Sequence, residues 1–218
     1  QLTFTEPYFL DRDLSVSFSV FYRTTNFQDQ NFNTTALGVS TSATFPLSES
    51  TRLTLRYGLS QDTRDDTSTD TSAIILAEAG TVVTSEIGYQ VTYDSRRQGL
   101  DPTRVVRLTF GQGVAGLGGE SQYVRSQVSG VYQREVFQGD VTLRAAGELG
   151  AVFSFGDYTT RIPDRYFNNS RKIRGFSPRG IGPRDTEAVD ENFLGGNYQA
   201  FLRLDAEFPL GLPEEYGI

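Results

Sequence analysis

The sequence predicts an all-β protein built from antiparallel strands. Apolar and polar residues alternate with a period of two along most of the 218 residues, and strict alternation indicates strands whose two faces meet different surroundings. The alternating stretches are also longer than the ~5–6 residues usual for globular strands. No apolar run of about 20 residues occurs, so the sequence predicts no transmembrane helix.

The alternation is clearest near the start of the chain. In LSVSFSVFY, residues 14–22, every even position is apolar and positions 15, 17 and 19 are serine. Apolar residues occupy the odd positions of 37–47, with Thr41 as the exception, and of 53–59. Equivalent stretches follow at 86–93, 106–111, 124–132, 141–149 and 198–208. Together with a first strand before Pro7, the pattern predicts about ten strands.

The composition excludes several kinds of catalytic site. The chain has no cysteine and no histidine, which removes thiol nucleophiles, Ser-His-Asp triads and thiolate or imidazole zinc sites. Gly111, Gly113 and Gly116 match the GxGxxG spacing of a dinucleotide site, but an alternating strand follows them where that site needs a helix. The glycine spacing therefore predicts a flexible hairpin connection and not a dinucleotide site.

Two architectures fit the alternation: a soluble sandwich or barrel, and a membrane β-barrel whose apolar face meets lipid. The polar positions are small or charged, as expected for a wet lumen. The strands approach the ~10 residues needed to cross a bilayer at a tilt. Short connections alternate with long polar ones around 60–72 and 156–193, which is the outer-membrane pattern. These features favour an antiparallel transmembrane β-barrel.

One loop concentrates positive charge in a chain of net charge −7. SRKIRGFSPRGIGPR, residues 170–184, contains four arginines and Lys172, the only lysine of the chain, and no carboxylate. Its glycines and prolines argue against a helix or a regular strand. Arginine suits a planar, bidentate contact with a carboxylate or phosphate.

Four stretches, in order along the chain, resemble the BamA-type family of outer-membrane barrel-assembly proteins. TEPYFLDRDLSVSFSVFY (5–22) resembles that family's N-P-Y-F turn, and YDSRRQGLDPTRVVRLTF (93–110) its D-x-R…P-T segment, with Arg104 in the region where Gly or Ser is usual. IRGF (173–176), followed by IGPR (181–184), is similar to the motif at the tip of the family's long sixth loop. FLRLDAEFPL (201–210) resembles the strand after that loop.

The resemblance implies a sixteen-strand barrel with the long loop folded into its lumen. Residues 1–218 would form about ten of the sixteen strands, as one partial barrel domain whose inserted loop spans about 156–193. It also implies that the seam strands and the periplasmic POTRA repeats of the family are outside this chain.

The resemblance further implies an ion pair between the loop and the barrel wall. Arg174 would pair with Glu207, which is in phase with Asp205 on the polar face of its strand. Gly175 would permit close approach or a positive φ, and Ile173 and Phe176 would pack the loop tip.

The rest of the basic loop has implied roles too. The remaining arginines would meet lumenal carboxylates such as Glu86 and Glu148, or lipopolysaccharide phosphates. The second motif would support the loop through Ile181, Gly182, Pro183 and Arg184.

The implied function is that of an integral protein of the bacterial outer membrane that folds and inserts nascent β-barrel proteins at its lateral seam. The implied partners are those proteins, outer-membrane lipid and lipopolysaccharide, and periplasmic accessory lipoproteins. The resemblance implies no enzymatic activity, no cofactor and no nucleic-acid partner. Two alternatives remain open: a related secretion pore of the two-partner or TamA-like type, and a passive porin. The Glu6-Pro7-Tyr8-Phe9 turn favours the assembly factor over the secretion pore.

Overall fold

The chain forms one antiparallel sheet of nine strands in a computed structural model, each strand pairing with its neighbours in sequence. The structure describes residues 1–27, 32–66, 72–98, 104–167, 172–173, 175–176, 180–187 and 192–208. The strands β1 and β9 lie at opposite edges of this sheet, so the sheet is open within the described residues. None of the helices in these ranges is long and apolar enough to span a membrane.

Most strands are long and are joined in order. The strands are β1 (Leu2–Glu6), β2 (Ser15–Phe27), β3 (Phe32–Pro46), β4 (Thr51–Asp66), β5 (Gly80–Asp94), β6 (Arg104–Ala115), β7 (Tyr123–Val136), β8 (Val141–Ser154) and β9 (Tyr198–Glu207). In the described parts of the connections lie one short helix, α1 (Ala73–Ala77), and four single turns of 3-10 helix, Phe9–Asp11, Ser95–Gln98, Phe137–Gly139 and Ile162–Asp164.

The registers separate two faces of the sheet because side chains alternate along each strand. Leu55 lies opposite Tyr89 while the next residue, Arg56, lies opposite Gly88. We call the side that carries Arg56 the polar face and the side that carries Leu55 the apolar face. The charged residues of the polar face that are used below are Arg56, Glu86, Asp94, Arg107, Arg125, Arg144, Glu148, Arg203, Asp205 and Glu207.

The apolar face has no cover within the described residues. Leu202 and Leu204 of β9 are each 73% exposed, and Leu149 of β8 is 59% exposed. Buried apolar side chains instead form two small clusters where the β8–β9 loop, residues 155–197, packs on the rest of the chain. The described residues therefore form no large core, and their apolar face needs an apolar environment.

The connections differ between the two ends of the strands. Residues 7–14, 47–50, 95–98 and 137–140 lie at one end, which we call the short-connection end. The other end carries the β4–β5 connection with α1 and the β8–β9 loop, and we call it the long-loop end.

The predicted all-β antiparallel fold with alternating faces is confirmed, with nine strands in the described residues against about ten expected. The polar linker expected around 60–72 is wrong in its first half, because β4 continues to Asp66. Its Thr63 hydroxyl lies 2.9 Å from that of Thr81 on β5, which shows how polar side chains extend the ladder there. Gly111 and Gly113 lie within β6, and the next element is β7 rather than a helix.

Candidate functional site: the loop on the polar face

Tyr166 anchors the β8–β9 loop to the polar face. Its backbone exchanges two hydrogen bonds with Gly196, at 2.8 and 3.0 Å, and its hydroxyl donates to the Ser126 carbonyl at 3.1 Å. The ring occupies the space above Gly150, where an added Cβ would lie only 2.7 Å from Tyr166 Cζ. Glycine at position 150 is therefore what allows the ring to reach the sheet.

Arg125 of β7 supports the same part of the loop from the polar face. Its Nη2 donates to the Asp164 carbonyl at 2.6 Å. The guanidinium also lies over two aromatic rings, 5.0 Å from the centre of Tyr123 and 6.0 Å from that of Tyr166. Cation–π contacts of this kind gain strength where water is excluded. One side chain of the sheet thus holds both the backbone and the ring of the loop.

The turn at Ile162–Asp164 is held by the buried carboxylate of Asp164. Tyr158 donates its hydroxyl hydrogen to Asp164, and the backbone N–H of Arg161 donates to the same carboxylate oxygen at 3.1 Å. Burial raises the pKa of the Tyr158 hydroxyl, and the hydrogen bond to Asp164 acts in the same direction. The hydroxyl therefore remains a proton donor throughout the neutral range.

Glu78 joins the loop to the β4–β5 connection. Its carboxylate accepts a hydrogen bond from the Ile162 backbone at 2.8 Å and lies 3.4 Å from Arg64 and 3.9 Å from Arg165. The Arg161 guanidinium donates to the Glu78 carbonyl. Two cations therefore lie near one carboxylate at the long-loop end, and a third binds the backbone carbonyl of the same residue.

A second polar contact forms around the start of α1. Ser72 accepts from the Ile74 backbone as the N-terminal cap, and its own hydroxyl donates to Asp185 of the loop. The Ser72 backbone donates to the Asn192 side chain at 2.7 Å. An apolar cluster lies beside these bonds and comprises Ile75, Ile162, Phe167 and Leu194.

Lys172 of the basic loop forms an ion pair with the sheet. Its Nζ lies 2.6 Å from Glu148 of β8 and 3.4 Å from the Gln199 side chain of β9, and it is 5.5 Å from the centre of the Phe201 ring. Gln199 donates a further hydrogen bond to Glu148. The side chains of Lys172 and Glu148 are only 24% and 11% exposed. This is a partly buried, hydrogen-bonded ion pair between the basic loop and the polar face.

Glu86, by contrast, is paired within the sheet. Arg56 of β4 donates to it at 2.8 Å, and the Tyr123 hydroxyl donates at 2.9 Å. Arg171 and Arg179 of the loop lie outside the described residues, so the expectation that a loop arginine meets Glu86 or Glu148 stays a prediction. At Glu148 the described residues do show a loop cation, Lys172.

The first predicted motif is only partly within the described residues. Arg174 lies outside them, so its predicted pair with Glu207 stays a prediction. Gly175 has φ of +88°, as expected of a glycine in the left-handed region. Ile173 is half-buried and Phe176 is 55% exposed. Residues 177–179 lie outside the described residues, so the packing of the loop tip by these two side chains stays a prediction.

The second motif forms a short pairing within the loop. Arg184 pairs as an isolated antiparallel bridge with Phe193, and its guanidinium lies 4.5 Å from the centre of that ring. The Leu194 backbone donates to the Pro183 carbonyl at 2.9 Å. Ile181 is half-buried and Gly182 is exposed. Pro183 and Arg184 thus brace one part of the loop against another, while the supporting role of Ile181 and Gly182 stays a prediction.

The predicted carboxylates of β9 share the polar face. Asp205 accepts from Arg203 Nε at 2.8 Å and lies opposite Arg144 in the register. Glu207 is exposed and lies opposite Thr142, nearest the short-connection end.

Sequence reasoning missed the residues that hold the loop in the described structure. No local sequence motif marks Tyr166, Arg125 or Glu78. Lys172 had a usable signal, since it is the one lysine of the chain and lies two residues before Arg174.

Comparison with known proteins relates this arrangement to one superfamily. The sequence model described as "Omp85 superfamily domain" matches residues 1–216. Two proteins named outer membrane protein assembly factor BamA are similar. That of Neorickettsia risticii is 28% identical over 215 residues, covering 98% of this chain and 29% of the relative. That of Nitratidesulfovibrio vulgaris is 27% identical over 206 residues, covering 93% and 25%.

Two further comparisons extend the likeness. A SAM50-like protein of Drosophila melanogaster is 29% identical over 192 residues, covering 84% of this chain and 43% of that protein. The crystal structure of Haemophilus ducreyi BamA lacking POTRA domains 1–3 superposes with a TM-score of 0.80 at 17% identity, covering 98% of this chain and 46% of that one. The nine-stranded sheet therefore has the fold of part of that barrel. The chain spans less than half the length of each of these relatives.

Replacing Gly150 with valine should unseat the loop. The added side chain enters the space of the Tyr166 ring, and overpacking of this kind costs roughly 1–3 kcal/mol. We expect limited proteolysis of the β8–β9 loop in the membrane-embedded full-length protein to accelerate about tenfold or more. Gly58→Val is the matched control, since an added Cβ there meets no atom within 4 Å. Equal proteolysis of both variants would contradict the role of Gly150.

Replacing Glu148 with glutamine should expose the Lys172 amine. Loss of a hydrogen-bonded charged partner costs about 1.5–3 kcal/mol, so acylation of Lys172, followed by peptide mass spectrometry, should become several-fold faster. The control is Glu135→Gln on the polar face of β7, where Glu135 lies opposite Thr142. The reciprocal pair Lys172→Glu with Glu148→Lys should restore resistance of the loop to proteolysis. If Glu148→Gln and Glu135→Gln behave alike, the ion pair does not hold the loop.

Proposed function

The chain belongs to the Omp85 superfamily, and from that premise we propose that its full-length protein is an outer-membrane assembly factor that inserts nascent β-barrel proteins. The observation that carries the proposal is the β8–β9 loop bonded across the polar face of a sheet whose fold matches a BamA barrel over 98% of the chain. The chain is an integral part of the outer membrane, and its apolar face is the side that meets lipid.

The proposed activity is physical rather than chemical. A nascent barrel protein adds its strand to an open strand edge of the assembly factor, where unpaired backbone groups provide the affinity. No covalent bond is made or broken, so the proposal assigns no enzymatic activity and no catalytic residue. The edge strands of the complete barrel are not assigned to residues of this chain.

The residues of this chain would serve by holding the loop and the barrel wall in one shape. Lys172 is held at Glu148, beside Phe201 in the register. Two residues of chain span at most ~7 Å, and Asp205 lies four residues beyond Phe201, roughly 13 Å along the strand. If the chain after Lys172 extends toward the short-connection end, Arg174 would reach the carboxylates of β9. It would meet Asp205 before Glu207.

The remaining partners follow from the same proposal. Periplasmic accessory lipoproteins would bind the complete protein, and lipopolysaccharide phosphates would meet arginines of the basic loop at the long-loop end. Both belong to the whole protein in its membrane, and each is a proposal that the family membership supports.

Depletion of the full-length protein tests the function directly. Because a general insertion factor serves many substrates, folded, heat-modifiable barrels of unrelated families should decline together in the outer membrane. Quantitative gel mobility before and after heating measures them, with an inner-membrane protein as the control. Loss of one exported substrate while other barrels persist would identify a dedicated secretion pore, and no loss at all would favour a passive porin.

Charge exchange tests the predicted role of Arg174. Arg174→Glu should lower assembly of heat-modifiable barrels severalfold, because an unpaired carboxylate then faces those of β9; breaking a partly buried pair costs up to ~3–5 kcal/mol. A second change, Glu207→Arg or Asp205→Arg, should restore assembly and identify the partner. Arg184→Glu with Glu207→Arg is the control, since Arg184 packs on Phe193. If neither exchange restores assembly, Arg174 has another partner.

A further inference from the structure

The apolar face ends in two arginines at the short-connection end of β6 and β7. Arg104 begins β6 and lies directly opposite Arg134 of β7. The next residues on the same side of these strands are Val106 and Tyr132, which also lie opposite each other. Both arginines are exposed. The pair therefore lies on the lipid-facing side of the sheet, at the edge of its apolar surface.

This arrangement is unfavourable without an anion. Directly opposed residues of antiparallel strands have Cβ atoms ~4.5–5.5 Å apart, and like charges there destabilise the pair. Among the described residues neither arginine forms a salt bridge, and the one recorded contact is that of the Arg104 guanidinium 5.7 Å from the centre of the Tyr132 ring. Glu135 follows Arg134 but belongs to the opposite face.

Two other arginines near this end of the sheet are paired. Arg107 of β6 on the polar face and Arg96 of the adjoining turn both donate to the buried carboxylate of Asp94, each at 2.7 Å. Within the described residues no carboxylate pairs with Arg104 or Arg134 in this way. An anion from the surroundings of the apolar face would offset the repulsion between these two arginines.

The position of the pair identifies that anion. In outer-membrane barrels the short connections face the periplasm, so the pair lies at the headgroup level of the periplasmic leaflet, where tyrosines such as Tyr132 are enriched. Guanidinium groups bind phosphate bidentately. We propose that Arg104 and Arg134 together bind the phosphate of an anionic phospholipid of the periplasmic leaflet. This site depends on the membrane location of the barrel and not on its assembly activity.

The choice of an anionic lipid follows from charge. Two adjacent guanidinium groups repel the ammonium of a zwitterionic headgroup, whereas a glycerol headgroup leaves the net negative charge of the phosphate uncompensated. The apolar residues beside the pair, Val106 and Tyr132, provide a surface for the acyl chains of the same lipid. Phosphatidylglycerol is therefore the appropriate probe.

The test uses the full-length protein in nanodiscs of phosphatidylcholine with or without phosphatidylglycerol. Native mass spectrometry after delipidation counts retained phosphatidylglycerol, and heat-modifiable gel mobility gives the unfolding midpoint. Arg104→Gln with Arg134→Gln should reduce retention roughly ten- to thirtyfold, as expected for the loss of two arginines at a membrane surface. Arg144→Gln is the matched control, because Arg144 lies at the same height on the polar face, opposite Gln133.

The sign of the stability change provides an independent readout. In phosphatidylcholine alone, the double variant should unfold at the same temperature as the unmodified protein or higher, because the like-charge repulsion is gone. Phosphatidylglycerol should stabilise the unmodified protein and leave the double variant unchanged. Equal retention in both proteins would overturn the proposal. So would an equal stabilisation by inorganic phosphate in phosphatidylcholine discs, which would make the ligand a free anion.

Discussion

A sheet with one polar and one apolar face has no core of its own, so the charged groups of its polar face need partners from the sheet itself or from elsewhere in the chain. In this protein the β8–β9 loop supplies some of these partners. Tyr166 brings the loop close enough because Gly150 leaves room for its ring. Arg125 then holds the loop backbone at Asp164. The absence of a Cβ at position 150 is thus the local condition for the other loop contacts.

The charges of the polar face are arranged in pairs that leave few buried carboxylates uncompensated. Within the sheet, Glu86 is met by Arg56 and Asp94 by Arg107. Arg96 of the adjoining turn also meets Asp94. Glu148 is met from outside the sheet, by Lys172. A partly buried carboxylate that loses its cation keeps its desolvation cost. The sheet therefore depends electrostatically on the loop at Glu148, whereas at Glu86 and Asp94 it does not.

The fold could be predicted from the sequence because alternation is a local property. Residues 14–22 reveal their two faces without reference to any other strand, and the same holds for β9, where Arg203, Asp205 and Glu207 were correctly placed together. The loop contacts are different in kind. Tyr166 meets Ser126, and Arg161 meets Glu78, across long separations in sequence that no local period encodes. The extent of β4 was underestimated because its residues 60–66 are polar and lack the alternation; at Thr63 the strand meets a hydroxyl of β5 and not an apolar side chain.

The loop contacts follow one direction along β8. Val152 packs with Tyr158 and Tyr166, Gly150 lies under Tyr166, and Glu148 meets Lys172. Successive contacts on one face are two residues apart, ~6.6 Å along the strand.

The polar-face positions that continue this line toward the short-connection end lie opposite Arg203, Asp205 and Glu207 of β9. A loop attached at each step is released only when several contacts break together, so small fluctuations leave it in place. A rearrangement large enough to move the loop must instead displace Tyr166 from the sheet and separate Lys172 from Glu148 in the same event. The shape of the barrel wall and the position of the loop are for that reason coupled, and a change in one requires a change in the other.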